Sequence, residues 1–286
     1  MQLRQFTTLR VGGTPLRHFH PGDADGLRQS LRECRRGGLA WRVLGGGSNL
    51  LVDEGSLPFA VIHVHSPGFD GVERTRPTAV RAGAGLPTSR LLASCREAGL
   101  GGLEFLAGLP GTVGGAVAGN AGAWGQQTCG PMSRLWLMDA DGELQQHDRS
   151  RIRASYRSTD LGGAVVVAAE FELVPRSPEL VALQMAEHAR ARAARHPMGQ
   201  ASAGCVFKNP AGQSAGRLLD LCGLKGLRVG GAEVSSVHAN FVLNRGDATA
   251  SDVLRLLALM KSAVRRRFGV ELELEVRHWS ARSKVA

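Results

Sequence analysis

Lysine is scarce in this chain of 286 residues: four of its 35 basic side chains are lysine and the rest are arginine. Tyrosine occurs once, at Tyr156, and aromatics make up 5% of the sequence. These scarcities bear on the net charge of +10, which by itself points toward nucleic acid. The arginines are scattered, and no basic stripe alternates with aromatics to stack bases. The densest cluster, Arg265-Arg266-Arg267, closes an expected helix, where cations complement the macrodipole. No nucleic-acid partner is expected; a basic field of this sign suits phosphorylated small molecules instead. Long apolar runs are also missing. AVVVAA at 164–169 falls far short of the roughly 20 residues of a membrane span, and Arg4 and Arg10 flank no signal-like run. The expectation is a cytoplasmic protein without a membrane span.

No CxxC pair occurs among Cys34, Cys95, Cys129, Cys205 and Cys222, so neither a zinc knuckle nor a disulfide scaffold is indicated. The histidines form two strand-like pairs, His18 with His20 and His63 with His65, each setting two rings on one face. Neither pair has a carboxylate or a third ligand beside it in sequence, so no metal is expected.

What is abundant is glycine, and it is concentrated. An amphipathic helix is expected over 23–36, ending at Gly37-Gly38, followed by a strand at 41–44 and then GGGSN at 45–49. LLV reads as a second strand, so the helix that a dinucleotide fingerprint requires is absent. TAVRAGAG (78–85) is a strand entering a turn, 88–98 a helix closed by Gly99, and RLWLMD (134–139) a strand whose Asp141-Gly142 turn signals a hairpin with ELQQH. VVVAAEFEL (165–173) is a further strand. Composition changes at Pro175–Pro178, where a polar helix begins and a domain boundary is placed. Beyond it come a strand at 238–244, a long helix over 251–268 with Ser251 as N-cap and Gly269 just past its end, and the strictly alternating VELELEVR at 270–277.

Three consecutive glycines after a strand form either a nest of N–H groups for phosphate oxygens, to which Ser48 and Asn49 add donors, or a tight turn. AGLPGTVGGAVAGNAGAWG (107–125) lacks lysine and carboxylates altogether. It is either a close-packed loop or a bare backbone laid against a large flat ligand, with Thr112, Asn120 and Trp124 as its few distinctive side chains. In ASAGCVFKNP (201–210) a glycine leaves the Cys205 thiol accessible, unless it is a small buried hydrophobe. Arg157 beside Tyr156 and Glu275 in the alternating segment have bland surface readings as well.

Taken in order, RVGG (10–13), LGGGSNLLV (44–52), AGAGL (82–86), GLEFLAGLPGTVGGAVAGNAGAWG (102–125), SYRST (155–159), SAGCVFKNP (202–210), AGRLLDLCGLKGLRVGGAEVSSVHANFVLN (215–244) and LELEVR (272–277) span nearly the whole chain. As a set they resemble the UDP-N-acetylenolpyruvoylglucosamine reductase family, also called UDP-N-acetylmuramate dehydrogenase, of peptidoglycan precursor synthesis. The resemblance implies an α+β fold: a vanillyl-alcohol-oxidase-type FAD-binding fold of two subdomains (1–65 and 66–176) plus a C-terminal α+β substrate-binding domain (177–269), with the strand 270–286 packing near the active site. It implies FAD as cofactor, with Gly45, Gly46, Gly47, Ser48, Asn49, Gly111, Thr112, Gly114, Gly115, Asn120 and Gly122 as its contacts. NADPH would be the co-substrate, and the enolpyruvyl ether of UDP-N-acetylglucosamine the substrate, met by Tyr156, Lys208, Asn209 and Asn240. Arg157 and Glu275 would stabilise the developing enolate, and Cys205 would supply the proton where the family places a serine.

The resemblance departs in two further places. Thr159 follows Ser158 where the family motif ends in serine, a hydroxyl-for-hydroxyl change. The stretch from Asp160 into VVVAAEFEL is also too short for the tyrosine-bearing loop of one subtype, so the chain resembles the subtype lacking it. A monomer is expected.

Overall fold

In the computed structural model, which describes residues 1–65 and 67–281, the chain divides into two units. One comprises Arg17–Gly46 and Phe59–Arg192; the other comprises Met1–Leu16, Gly47–Pro58 and the chain from Ala193 onward.

The larger unit is built on a five-stranded antiparallel sheet in the order Leu144–Asp148, Met132–Met138, Val165–Glu172, Ala79–Gly83, Val72–Arg76. The expected hairpin is there, with Trp136 opposite Gln146. The central strand Val165–Glu172 opens on five apolar residues, as suits a strand flanked on both sides. Around the sheet lie α1 (Ala24–Arg36), α2 (Thr88–Glu97), α3 (Val113–Ala118) and α4 (Pro178–Ala193). Helix α1 starts at Asp23, whose carboxylate accepts the Gly26 N–H at 2.7 Å, and buries Leu27 and Leu31. Helix α2 ends at Ala98, and Gly99 follows in the left-handed region at φ 67°. One core joins these parts through Leu31, Val80, Leu91, Phe105, Leu135 and Phe171.

A second, three-stranded sheet has the order Thr14–Phe19, Ser56–His63, Trp41–Leu44. The last two run parallel, with Leu44 opposite His63. This order sets the C-terminal ends of Thr14–Phe19 and Ser56–His63 on neighbouring strands.

In the other unit an antiparallel sheet has the order Ser202–Cys205, Phe241–Asn244, Ala232–Val234, Arg228–Val229. It shares its core with α5 (Ala215–Leu221) and α6 (Ala250–Phe268) through Phe207, Leu219, Val242, Leu256 and Met260. Leu50–Val52 pairs in parallel with Arg277–Trp279.

Three expectations need correction. Helix α6 is capped by Thr249, not Ser251. The Thr249 hydroxyl accepts the Asp252 N–H at 3.0 Å while the Asp252 carboxylate accepts the Thr249 N–H at 3.1 Å, a reciprocal box that a cap at Ser251 does not offer. The alternating 270–276 segment keeps its alternation, with Leu272 and Val276 buried and Glu271 and Glu273 exposed, but forms no ladder beyond a bridge between Leu274 and Phe207. Its partner runs into Lys208-Asn209-Pro210, and the proline has no N–H to extend pairing. The strand expected from 238 starts at Phe241, because the His238 ring accepts the Asn240 N–H at 3.1 Å and curls the chain first.

Candidate active site

Two glycine turns meet in the larger unit. A Cβ on Gly45 would lie 2.7 Å from the Thr112 hydroxyl, and one on Gly46 would lie 2.9 Å from the Cα of Gly111. Both contacts are closer than a side chain tolerates, so these glycines let one turn rest on the other. Gly114 is closed in the same way by Ala84, with 2.8 Å between the would-be Cβ and the Ala84 Cβ, and Gly122 by the Gln126 carbonyl. Gly115 differs: the nearest atom to its would-be Cβ is the Thr112 hydroxyl at 3.6 Å, an ordinary contact. Part of the run therefore serves packing, whereas Gly115 is exposed and has free space beside its Cα.

The run is not one loop. Its middle is α3, a helix of 6 residues that glycine content hides from sequence reading. The signal that could have found it is Thr112, the buried N-cap, whose hydroxyl accepts the Gly115 N–H at 3.5 Å. Beside the run is a cleft of about 620 Å³, lined among others by Pro87, Leu92, Leu106, Pro110, Ala182 and Met185.

Asn120 is fully buried at φ 38° and spends its amide inside the fold. Its Nδ2 donates to the Gln127 side chain at 2.6 Å and the Ser155 carbonyl at 2.9 Å, while its Oδ1 accepts the Cys129 N–H at 3.1 Å. It braces the run against the segment that carries Arg157. That segment is a hairpin in which Ser155 pairs with Ser158, leaving Tyr156 and Arg157 at the tip. Thr159 fixes the base, donating to the Val117 carbonyl at 2.6 Å. Arg157 sits at φ 60°, a conformation costly for a residue with a Cβ, and donates to the Gly122 carbonyl at 3.0 Å. Its guanidinium also lies over the Tyr156 ring, 5.1 Å from the centroid. Trp124, half-exposed, stacks on His188 with centroids 5.6 Å apart.

In the other unit, Cys205 ends its strand immediately after Gly204, which takes φ 76°. The carbonyl of the next residue, Val206, accepts the Glu275 N–H at 2.9 Å, so Cys205 and Glu275 belong to adjoining extended segments. Asn49 anchors the same segment, its Nδ2 donating to the Glu275 carbonyl at 3.2 Å and its carbonyl accepting the Arg277 N–H at 3.1 Å. Asn240 is buried and clamps Phe207, accepting its N–H at 3.0 Å and donating to its carbonyl at 2.8 Å. Asn209 accepts the Ala215 N–H at 3.0 Å, and the Lys208 ammonium lies 3.3 Å from Glu273. Gly47, at φ 62°, leaves no room for a Cβ beside the Phe6 carbonyl, and Ser48 follows it. Several side chains expected to meet cofactor or substrate thus hold backbone in place.

The thiols separate clearly. Cys34, Cys95 and Cys129 are buried, while Cys205 and Cys222 are partly exposed. Burial, with the Glu104 charge nearby, pushes the Cys95 thiol up to about 12. Burial also raises Cys34 and, against a hydrogen bond shared with Thr159, Cys129. The two histidine pairs converge as well: His18, His20 and His63 bring ligand atoms within 4.8 Å of one another. Sequence order concealed the third partner that the His18–His20 pair lacks.

Residues 15–147 match the FAD binding domain family, and residues 196–279 match the C-terminal domain of UDP-N-acetylenolpyruvoylglucosamine reductase. These matches define an FAD-binding oxidoreductase of the α+β class, the fold expected from the sequence. The chain is 42% identical to the UDP-N-acetylenolpyruvoylglucosamine reductase of Pelobacter propionicus over 276 residues, covering 96% of this chain and 92% of that one. The reductase of Geobacter metallireducens is also 42% identical, with 96% and 91% covered. The crystal structure of the Thermus caldophilus reductase superposes with a TM-score of 0.83 at 37% identity, covering 98% of each chain. The chain belongs to the UDP-N-acetylenolpyruvoylglucosamine reductase family.

The larger unit fits the FAD this family implies. Gly115 leaves an exposed face with no side chain on it, the 107–125 run carries no carboxylate to repel a pyrophosphate, and the two glycine turns are packed too tightly for side chains to intervene. Among the described residues, no helix is long and apolar enough to cross a membrane.

Proposed function

We propose that this chain reduces the enolpyruvyl ether of UDP-N-acetylglucosamine to UDP-N-acetylmuramate, with NADPH as reductant, in peptidoglycan precursor synthesis. The observation that carries this reading is Arg157, held at φ 60° on a two-residue hairpin tip that Thr159 and Asn120 pin down. Strain of that kind persists only where the surroundings over-determine it, and it marks a side chain with a task. Bound FAD would take hydride from NADPH and pass hydride to the methylene carbon of the enol ether, with Gly45, Gly46, Gly111, Thr112 and Gly115 among the residues that would hold it.

Every other role falls to the chain itself. Arg157 pairs with the substrate carboxylate, drawing electron density as the α-carbon becomes enolate-like. Glu275, on the extended segment fixed by Asn49 and Val206, acts in the stabilisation of the developing enolate. Cys205 gives its S–H proton to the α-carbon, completing the lactyl ether, and the thiolate regains a proton from solvent. A free thiol titrates near about 8.5, well below an alcohol, so it is the more willing acid in the place where relatives carry serine. Tyr156, Lys208, Asn209 and Asn240 shape the substrate side, the last two through the backbone they hold.

We read the chain as the subtype without a tyrosine-bearing loop, since residues 160–164 alone join Thr159 to the strand Val165–Glu172. The three-part division at 66 and 177, a monomeric state and a cytoplasmic location belong to the same reading. The deciding experiment is anaerobic mixing of the purified flavoprotein with NADPH and then with the enolpyruvyl substrate. The flavin band near about 450 nm should bleach in the first step and return in the second; bleaching without return under substrate refutes the assignment.

A further inference from the structure

We infer that His18, His20 and His63 form a binding site for one first-row divalent transition ion, of which zinc is the type. His18 lies at the end of Thr14–Phe19, His20 just beyond it, and His63 at the end of the neighbouring strand Ser56–His63. Their ligand atoms lie within 4.8 Å of one another. The His18 and His20 rings are 4.1 Å apart between centroids, and the His63 ring is 5.8 Å from the first and 5.4 Å from the second. Zinc–imidazole bonds of about 2.0–2.1 Å need ligand nitrogens a little closer than this, a change that side-chain rotation supplies without moving the strands.

The chemistry selects the ion. Three imidazoles and no carboxylate make a borderline nitrogen site, which magnesium and calcium, as oxygen-seeking ions, do not favour. His63 carries the support that metal-bound imidazoles characteristically have, a hydrogen bond to the backbone at Gly45 that fixes the ring. His20 is exposed, which gives an ion a way in, and His65, its ring 5.7 Å from that of His63, or water supplies the fourth ligand. The ion would clamp two adjacent strand ends and, through Gly45, steady the first glycine turn. The inference does not depend on the reductase reading.

The test is equilibrium dialysis and calorimetry of the chelator-treated flavoprotein against zinc chloride. One zinc per chain is expected. His20→Ala, chosen because the side chain is exposed, should weaken binding by about 10-fold or more, and the double variant His18→Gln/His63→Gln should abolish it. Retained flavin absorbance would show that each variant is folded. His188→Ala, on α4, should bind as the parent does. No uptake by the parent, or equal uptake by His20→Ala and a flavin-replete double variant, overturns the site.

Discussion

Gly46 and Gly111 touch backbone to backbone: a Cβ on the first would stand 2.9 Å from the Cα of the second. Two segments far apart in sequence are thereby fused into one surface, and the glycines of that surface have unequal duties. Gly46→Val forces the turns apart and should lower the melting temperature and the yield of soluble protein. A Cβ on Gly115 meets nothing tighter than 3.6 Å beyond its own helix backbone, so Gly115→Val should fold and yet lose flavin. Absorbance per chain and thermal melting of both variants separate the two effects; a fully yellow Gly115→Val protein sinks the cofactor role of that glycine.

Arg157→Ala and Glu275→Gln should leave reduction by NADPH near normal and slow reoxidation by the enolpyruvyl substrate by on the order of 100-fold or more. Stopped-flow measurement of the two half-reactions checks this. Equal damage to both would remove these residues from the second step.

Three of the five thiols are buried with raised pKa values, so alkylation has Cys205 and Cys222 as its targets. Alkylation should stop the second half-reaction, substrate should protect, and Cys222→Ser should leave that sensitivity intact. Cys205→Ser should stay active and resist the reagent. Cys205→Ala should accept hydride but return it very poorly. Unchanged turnover in Cys205→Ala would assign protonation to another group.

Glu170, buried in the central strand, receives bonds from the Thr75 hydroxyl at 2.7 Å, Arg76 at 3.1 Å and the Ser133 hydroxyl at 3.2 Å. Burial alone would raise its carboxyl; these bonds and the Arg134 charge outweigh it and hold the group low. The unfolded chain therefore takes up the proton first as pH falls. The stabilisation is complete above the unfolded value of about 4.3 and is lost as pH drops toward the folded one. Glu170→Gln should cost about 1–3 kcal/mol at neutral pH and flatten the acid limb of stability against pH. An unchanged acid limb would show that other carboxylates set it.

Local patterns were legible in the sequence and convergence was not. Helix α1, with Asp23 at its start and paired glycines at its end, follows from capping and periodicity, as does the hairpin around Asp141-Gly142. Helix α3 escaped because glycine and alanine carry no amphipathic pattern, and α6 was started two residues late because Ser251 competes with Thr249 for the same signal. The duties of Asn120, Asn49 and Asn240 escaped for another reason. Each amide grips backbone 35, 226 or 33 residues away, and no short window of sequence displays that. The histidines illustrate the same limit: His63 joins His18 and His20 only when sheet order makes their strands neighbours.

The unit that holds Cys205 is assembled from three separated stretches of chain, with Thr8 bonded to the Ser202 carbonyl and Asn244 to the Leu9 carbonyl. On the ribosome Thr8 and Leu9 must wait for these partners until roughly 200 more residues have been made, and Leu50–Val52 finds its strand partner only when Arg277–Trp279 emerges. Closure of such long loops is slow, and the exposed strand edge in the interval invites mispairing. Synthesis rate and chaperone supply, more than the stability of the finished unit, should then govern how much active protein a cell obtains.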